Sequence, residues 1–191
     1  MGSPTIAKTD VQTTIAIFGN QLVSGYREVY NSPDKRLSSC GEPSPAAVTA
    51  NVYLCTPYAE GADVCWAAAS TSMLCLDDPW SKGLRRYTYN TTLLQQVYPE
   101  DNPKPYALLL EDGTRCRLLV GGTRWVRPDG YIQAYSCGLK AGSDLSVMMP
   151  SDLSPINRSS PLWTVVVGVK DSTLQTHSVA TAWFAGSEGD G

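Results

Sequence analysis

The sequence predicts a mainly β protein, an antiparallel sandwich or barrel with one N-terminal α-helix. Three observations predict it. Short apolar runs follow one another after residue 40 and are separated by Gly- and Pro-rich turns. Six cysteines are spread over the same region, so disulfides can hold neighbouring strands together. N-terminal to this region, apolar residues recur at helical spacing through residues 10–31.

The N-terminal stripe favours an amphipathic helix over residues 10–31, preceded by a flexible N-terminus at residues 1–9. Asp10 is a suitable N-cap, whereas Gly19 and Gly25 each cost about 1 kcal/mol relative to Ala inside a helix. Two roles stay open: the helix packs on the sheet of its own domain, or it is a stalk or oligomerisation helix leading to a membrane anchor upstream of the chain. The residues of the stripe are Val11, Ile15, Phe18, Leu22, Tyr26 and Val29.

The predicted β domain spans residues 40–185 and is followed by a flexible tail at residues 186–191. Asp112 and Gly113, between two apolar runs, predict a tight hairpin turn. The runs around Trp163 and Val179 predict a closing hairpin. The strand candidates are Ala47–Tyr53, Val64–Ala67, Ser72–Leu76, Arg86–Tyr89, Ala107–Leu110, Cys116–Val120, Tyr131–Ser136, Leu162–Val169 and Ser178–Phe184.

The cysteines indicate an oxidising compartment. They contain no C-x-x-C pair, and His177, the single histidine, has no cysteine nearby, which disfavours a zinc site. Six unlinked thiols in a cytosolic protein are the alternative. An even count in a chain with 17% charged residues favours disulfides. We therefore expect disulfides, no metal and no cofactor.

Local symmetry suggests the pairing, although six cysteines allow fifteen connectivities. Cys116 and Cys137 are placed roughly symmetrically about a turn at residues 127–130, so they fall on adjacent antiparallel strands. Cys65 and Cys75 are symmetric about position 70. By elimination, Cys40 pairs with Cys55.

Charge and hydropathy exclude some classes of protein. The 191 residues include 15 basic and 18 acidic residues, a net charge of -3, which gives no global electrostatic reason to bind nucleic acid. No apolar stretch approaches the roughly 20 residues that cross a bilayer as a helix.

Catalytic motifs are scarce in the sequence, so we expect that the protein is not an enzyme and has no catalytic residues. The sequence contains neither a G-x-S-x-G elbow nor a P-loop. His177 is the only histidine that could serve as a base, and we place it in a solvated turn between strands. Adjacent carboxylates occur at Glu111-Asp112 and Asp77-Asp78, also in turns, and they leave a secreted carboxylate-dependent hydrolase as an alternative.

Two groups of residues are candidate binding surfaces. Arginine beside an exposed aromatic ring can bind sugars, carboxylates or a protein partner. The alternative is that the tryptophans pack internally while the arginines solvate the surface. The candidates are Trp80, Arg85 and Arg86 in one loop region and Arg124, Trp125 and Arg127 in another.

Six short motifs occur in a fixed order between residues 76 and 183. They are L-D-D-P-W ending at Trp80, L-E-D-G-T-R-C ending at Cys116, G-G-T ending at Thr123, Y-S-C ending at Cys137, R-S-S-P-L-W-T-V ending at Val165 and V-A-T-A-W ending at Trp183. With these motifs, the chain resembles a group of uncharacterised exported proteins of actinobacteria, many of them predicted envelope proteins or lipoproteins. The likeness spans roughly residues 40 to 185. It implies an extracytoplasmic, disulfide-bonded domain and brings no activity or catalytic residues. The chain shows no lipobox cysteine.

The sequence therefore predicts a non-catalytic binding or interaction domain, secreted or associated with the bacterial cell envelope. Its expected partner is an envelope protein or a glycan. A structural subunit of an envelope complex is a further alternative, and an apolar patch along residues 11–22 would favour it.

Overall fold

The computed structural model describes residues 6–29, 35–57, 61–138, 145–150 and 154–188, and over these ranges it is mainly β. The described residues form two compact units. Unit 1 comprises residues 1–12 and 107–182, and unit 2 comprises residues 13–106 and 183–191. This division was not predicted from the sequence. No helix in the described ranges is both long and apolar enough to span a lipid bilayer.

The strands are numbered in chain order, and one short 3-10 helix, Thr91–Leu93, follows the ninth. They are β1 Asp10–Thr14, β2 Ile17–Phe18, β3 Gln21–Leu22, β4 Arg27–Glu28, β5 Ser39–Pro43, β6 Tyr53–Thr56, β7 Cys65–Ala69, β8 Ser72–Leu76, β9 Gly83–Thr88, β10 Ala107–Leu110, β11 Arg115–Leu118, β12 Tyr131–Cys137, β13 Ser146–Pro150, β14 Ile156–Asn157, β15 Thr164–Gly168 and β16 Gln175–Ala185.

Unit 1 is built on a six-stranded antiparallel barrel. Its strands follow the order β10-β11-β12-β13-β15-β16, and β16 returns to β10. The short strand β14 pairs additionally with β15. Closure pairs strand edges that would otherwise be exposed. Of the two predicted architectures, sandwich and barrel, unit 1 has the barrel.

The predicted hairpins of unit 1 are confirmed. Gly113 has a φ of +85°, a left-handed conformation that suits glycine, and its N–H donates to the carbonyl of Leu110 at 3.0 Å. This turn joins β10 to β11 with Leu108 opposite Cys116. The closing hairpin pairs β15 with β16, with Val165 opposite His177.

Unit 2 contains a six-stranded sheet in the order β4-β9-β8-β7-β6-β5 and a separate β2–β3 hairpin. The β4–β9 pair is parallel and the other pairs in the sheet are antiparallel. Met73 and Tyr87 are buried in a core cluster that also holds four of the cysteines. Disulfide-bonded cysteines therefore fill much of this core, where aliphatic side chains would otherwise pack.

All three predicted disulfides are confirmed: Cys40–Cys55, Cys65–Cys75 and Cys116–Cys137. The second and third join residues directly opposite each other on β7–β8 and β11–β12. Their Cα atoms are 4.0 Å apart, close to the spacing of a non-hydrogen-bonded antiparallel pair. Each bridge therefore fixes the register of the two strands it joins.

The predicted amphipathic helix over residues 10–31 is wrong. The described part of this segment forms β1 to β4 and contains no helix. Gly19 and Gly25 have φ values of +59° and +91°, so they form turns where a helix would need negative φ. Residues 11–15 are rich in β-branched side chains, which favour extended backbone. The stripe is not a buried face either, because Phe18 is 61% exposed.

Several other predicted strand positions differ locally from the structure. The predicted strand Ala47–Tyr53 is mostly turn, and β6 begins only at Tyr53. His177 lies within β16 and not in a turn. Strands β5 and β13 were not predicted. In the predicted tail, Gly186, Ser187 and Glu188 make hydrogen bonds within unit 2, and the remaining tail residues lie outside the described ranges.

Candidate functional site

Unit 2 contains an open cavity of about 530 Å³. Its walls come from five separate stretches of the chain: residues 17–19, 51–53, 66–67, 94–96 and 187–188. Cavities of roughly 300–1,000 Å³ are typical of small-molecule sites. The cavity is therefore of the size that holds a ligand.

Two aromatic side chains form the floor of the cavity. Tyr53 and Trp66 are 5% and 3% exposed, and the apolar side chains of Ile17 and Leu94 also line the cavity. The Trp66 Nε1–H donates to the carbonyl oxygen of Gly186 at 2.9 Å. Both rings are buried, and hydrogen bonds of their polar atoms to other residues of unit 2 hold them in position.

The phenol of Tyr53 connects the floor to the rim. Its Oη lies 3.3 Å from both Asn51 Oδ1 and the carbonyl oxygen of Gln95, so the single O–H proton serves these two acceptors. Burial raises the pKa of the Tyr53 hydroxyl, which keeps it a neutral donor. Two rim segments are thus held by one buried side chain.

The rim carries side-chain amides with unused hydrogen-bonding capacity. Gln95 and Gln96 are exposed, and their amides make no hydrogen bond within the part of the chain that the structure describes. Asn51 has a φ of +63°, and its N–H donates to the carbonyl of Val97 at 3.0 Å. Its Oδ1 accepts from Tyr53, which leaves the NH₂ group available as a donor.

The last described residues close one side of the cavity. The Ser187 N–H donates to Thr49 Oγ1 at 2.7 Å, and its hydroxyl donates to the carbonyl of Ala50. Glu188 Oε2 accepts the N–H of Gly19 at 2.7 Å. Glu188 is the one charged residue among the described residues that line the cavity, so the lining there combines polar and apolar groups and carries little charge.

Among the predicted candidates, Trp80, Arg85 and Arg86 lie in unit 2 but outside the cavity lining. The Trp80 ring packs edge-on against Trp183, with centroids 5.7 Å apart and an interplanar angle of 76°. Arg85 Nε donates to Asp77 Oδ2 at 2.9 Å. Trp80 is half-buried, and its ring contacts another tryptophan of the same unit.

Arg86 joins β9 to β4 and β8. Its Nε donates to Glu28 Oε2 at 3.0 Å, a second guanidinium nitrogen bonds the other carboxylate oxygen, and a third donates to the Ser72 hydroxyl. This hydrogen bonding lowers the pKa of Glu28 and raises the pKa of Arg86. Such a bidentate pair fixes strand positions in the sheet.

The second predicted group, Arg124, Trp125 and Arg127, lies in unit 1. Arg124 donates to the carbonyl of Leu119 at 2.6 Å. Arg127 donates to three carbonyls, those of Val169 at 2.8 Å and of residues 170 and 172 at 2.9 Å each, and it also pairs with Asp129. Trp125 is half-buried. Both arginines organise loops within their own unit.

The His177 side chain faces two carboxylates of the β10–β11 turn. Its Nδ1 lies 3.7 Å from Glu111 Oε1 and 3.8 Å from Asp112 Oδ2. Burial raises the pKa of Asp112, but hydrogen bonds from Thr114 and the charge of His177 outweigh it, so the pKa is lowered overall. Among the described residues, no group of three or more His, Cys, Asp and Glu side chains is arranged to hold a metal ion.

Sequence reasoning missed the cavity residues. They come from stretches between positions 17 and 188, and no single motif contains more than three of them. The adjacent amides Gln95 and Gln96, next to an apolar pair at residues 93–94, were the one local signal. Grouping the five stretches requires the sheet topology of unit 2.

The fold and the cavity define a disulfide-bonded, mainly β protein. Its ligand-sized cavity has a mixed polar and apolar lining, and internal hydrogen bonds hold the walls. Comparison with known proteins finds no matching family model, no matching curated protein and no matching solved structure.

Proposed function

We propose that the protein is a non-catalytic binding domain that works outside the cytoplasm, secreted or in the bacterial cell envelope, and that takes its ligand in the cavity of unit 2. The observation that carries this proposal is the combination of a fixed floor with a rim of unused polar groups. Trp66 and Tyr53 are held by hydrogen bonds, while the amides of Gln95 and Gln96 are exposed. Sites of this kind bind with little reorganisation.

The chemistry of the cavity suits binding. Its described carboxylate, Glu188, accepts the N–H of Gly19 and so is held as part of the wall. Carboxylate-dependent hydrolysis of glycosides uses a pair of carboxyl groups set across the scissile bond. The hydrolase alternative gains no support from this arrangement.

The disulfides support the compartment. All six cysteines are paired, and such bonds persist in oxidising environments outside the cytoplasm. The resemblance to exported proteins of actinobacteria supports the same location. Alkylation of protein taken directly from cells, followed by mass spectrometry, tests it: we expect no alkylated cysteine, and full alkylation would contradict the proposed location.

The proposed binding centres on the cavity rather than on the Arg/Trp groups. Arg85 and Arg86 pair with carboxylates of their own unit, and Arg127 bonds three carbonyls of its own unit. A partner at these surfaces would have to compete with bonds already made. The proposed partner is an envelope protein or a glycan.

A matched pair of variants tests the binding function. Ala67 is exposed and lines the cavity, so Ala67→Trp fills the site without removing a hydrogen bond of the wall. Ala69 is exposed on the same strand but does not line the cavity, which makes Ala69→Trp the control. We expect a fraction of cell-envelope extract to raise the Tm of the native protein and of Ala69→Trp, but not of Ala67→Trp. Equal shifts in all three, or no shift in any, would contradict the proposal.

A structural subunit of an envelope complex is a second candidate, favoured by the exposed apolar side chains Ile15 and Phe18. Exposed apolar surface can mark an assembly face. Sedimentation velocity of the native protein and of Phe18→Ser tests it: a concentration-dependent oligomer that Phe18→Ser abolishes would support assembly. A monomer for both would contradict it.

A further inference from the structure

We infer that the cavity of unit 2 binds a neutral saccharide, presented as a short oligosaccharide or as part of a longer glycan. The inference rests on the proposed binding function and names the class of its ligand. Hydrogen-bonding chemistry, charge and apolar surface at the cavity all point to this class.

The amides of the rim match the hydroxyl groups of a sugar. A hydroxyl both donates and accepts, and each primary amide offers two donors and an acceptor with two lone pairs. Gln95 and Gln96 supply two such amides, and Asn51 supplies a further NH₂ donor. A saccharide presents many closely spaced hydroxyls, so it can use all three side chains at once.

The charge of the lining disfavours ionic ligands. The described lining contains no Lys, Arg or His, so a phosphate or carboxylate on a ligand would find no opposite charge there. Glu188 Oε2 accepts from Gly19, and its other oxygen, Oε1, can accept from a sugar hydroxyl. Hydrogen bonds to a charged acceptor are stronger than those between two neutral groups.

The apolar surface of the cavity matches the C–H groups of a sugar ring. The side chains of Ile17, Leu94, Tyr53 and Trp66 all line the cavity. Saccharides alternate hydroxyl groups with apolar C–H surface. A mixed lining of this kind can cover both parts of the ligand without leaving buried polar groups unsatisfied.

Binding is measured with a defined panel of probes. The neutral probes are maltotriose, cellotriose, mannotriose, an arabinotriose and N,N′-diacetylchitobiose. Glucose 6-phosphate and glucuronic acid are the anionic probes, and tri-alanine with blocked ends is the peptide probe. Saturation-transfer difference NMR detects binding, and titration calorimetry measures affinity for each probe that gives a signal. We expect at least one neutral saccharide to bind, and to bind at least tenfold more tightly than the anionic and peptide probes.

Variants then locate the site. The double variant Gln95→Leu/Gln96→Leu removes the rim amides, and Ala67→Trp fills the cavity. Gln175→Leu, an exposed glutamine of β16 outside the cavity, is the matched control for the amides. We expect both cavity variants to weaken saccharide binding at least tenfold and the control to leave it within twofold. Unchanged thermal unfolding of each variant shows that it is folded.

The outcomes separate this inference from the proposed function. If tri-alanine binds and Ala67→Trp abolishes this binding, the assignment of a saccharide ligand is wrong, but the cavity is still a binding site. If no neutral probe binds, the assignment of a saccharide ligand is also wrong. The proposed binding function would still stand if envelope extract raises the Tm of the native protein and Ala67→Trp abolishes this rise. Saccharide binding unaffected by either cavity variant would overturn the assignment of the site.

Discussion

The Trp66 indole N–H donates to the carbonyl oxygen of Gly186 at 2.9 Å, across 120 positions of sequence. Through this bond the floor of the cavity holds the segment that carries Ser187 and Glu188. Gly186 is buried, so its carbonyl has little access to water. The shape of the cavity therefore depends on a contact between strand β7 and the end of the described chain.

Trp66→Phe should destabilise unit 2 and loosen the cavity wall. It leaves the buried carbonyl of Gly186 without its donor, at a cost of about 1–3 kcal/mol. Urea unfolding followed by circular dichroism measures the free energy, and amide hydrogen exchange at Ser187 and Glu188 should become faster. An unfolding free energy within about 0.5 kcal/mol of the native protein would mean that this hydrogen bond contributes little.

Removal of the Cys116–Cys137 disulfide should destabilise the barrel of unit 1. The bridge joins positions 21 residues apart, and the chain-entropy model assigns such a loop about 3 kcal/mol. The double variant Cys116→Ala/Cys137→Ala avoids leaving a free thiol. Hydrogen exchange should accelerate in β11 and β12, and protection equal to that of the native protein would contradict the expected role.

Arg86→Gln should remove an acid-dependent part of the stability. Hydrogen bonding to Arg86 lowers the pKa of Glu28 from its ordinary 4.5. A group whose pKa is lower in the folded protein than in the unfolded chain stabilises the fold at pH values above the unfolded-state pKa. This stability is lost as the pH falls through the folded-state pKa. The difference in unfolding free energy between the native protein and Arg86→Gln should therefore shrink between about pH 5 and about pH 3.

Because both side chains are partly exposed, this pH-dependent part should stay below about 1 kcal/mol. Glu28→Gln is the control: in that background, Arg86→Gln should alter stability equally at both pH values. A pH dependence that survives Glu28→Gln would assign the effect to another group.

Arg127→Lys should loosen the turn between β15 and β16. A lysine ammonium lacks the planar fork that lets Arg127 bond three carbonyls while pairing with Asp129. Hydrogen exchange of the Val169 and Ser172 amides, both hydrogen-bonded in this turn, should accelerate. The Gly113 amide in the β10–β11 turn is the internal reference and should not change. Unaltered exchange at Val169 would count against this role of Arg127.

The features that local sequence symmetry determines were predictable. Cys65 and Cys75 are cross-strand partners, as are Cys116 and Cys137, so counting outward from the predicted turns finds these two pairs. The pair Cys40–Cys55 then follows by elimination. The bounds of β8 and β10 match the prediction because buried apolar runs end at turn residues. The DG turn at Gly113 needs the positive φ that it has.

Features that depend on tertiary structure were not predictable. Apolar residues from Val11 to Val29 recur at helical spacing, but the glycines at 19 and 25 take positive φ and the segment pairs as strands. His177 belongs to β16. The first residues of this strand are polar, so the apolar pattern did not indicate that it begins as early as Gln175. The cavity unites segments separated by up to about 170 positions, which only the folded sheet brings together.

NMR of the native protein shows whether the cavity of unit 2 binds a ligand. The side-chain amide signals of Gln95 and Gln96 are followed while the neutral saccharides are added. We predict that these signals shift in a saturable way with one saccharide, and that those of Gln175 stay in place. No shift at Gln95 and Gln96 with any saccharide or with fractionated envelope extract would contradict the account.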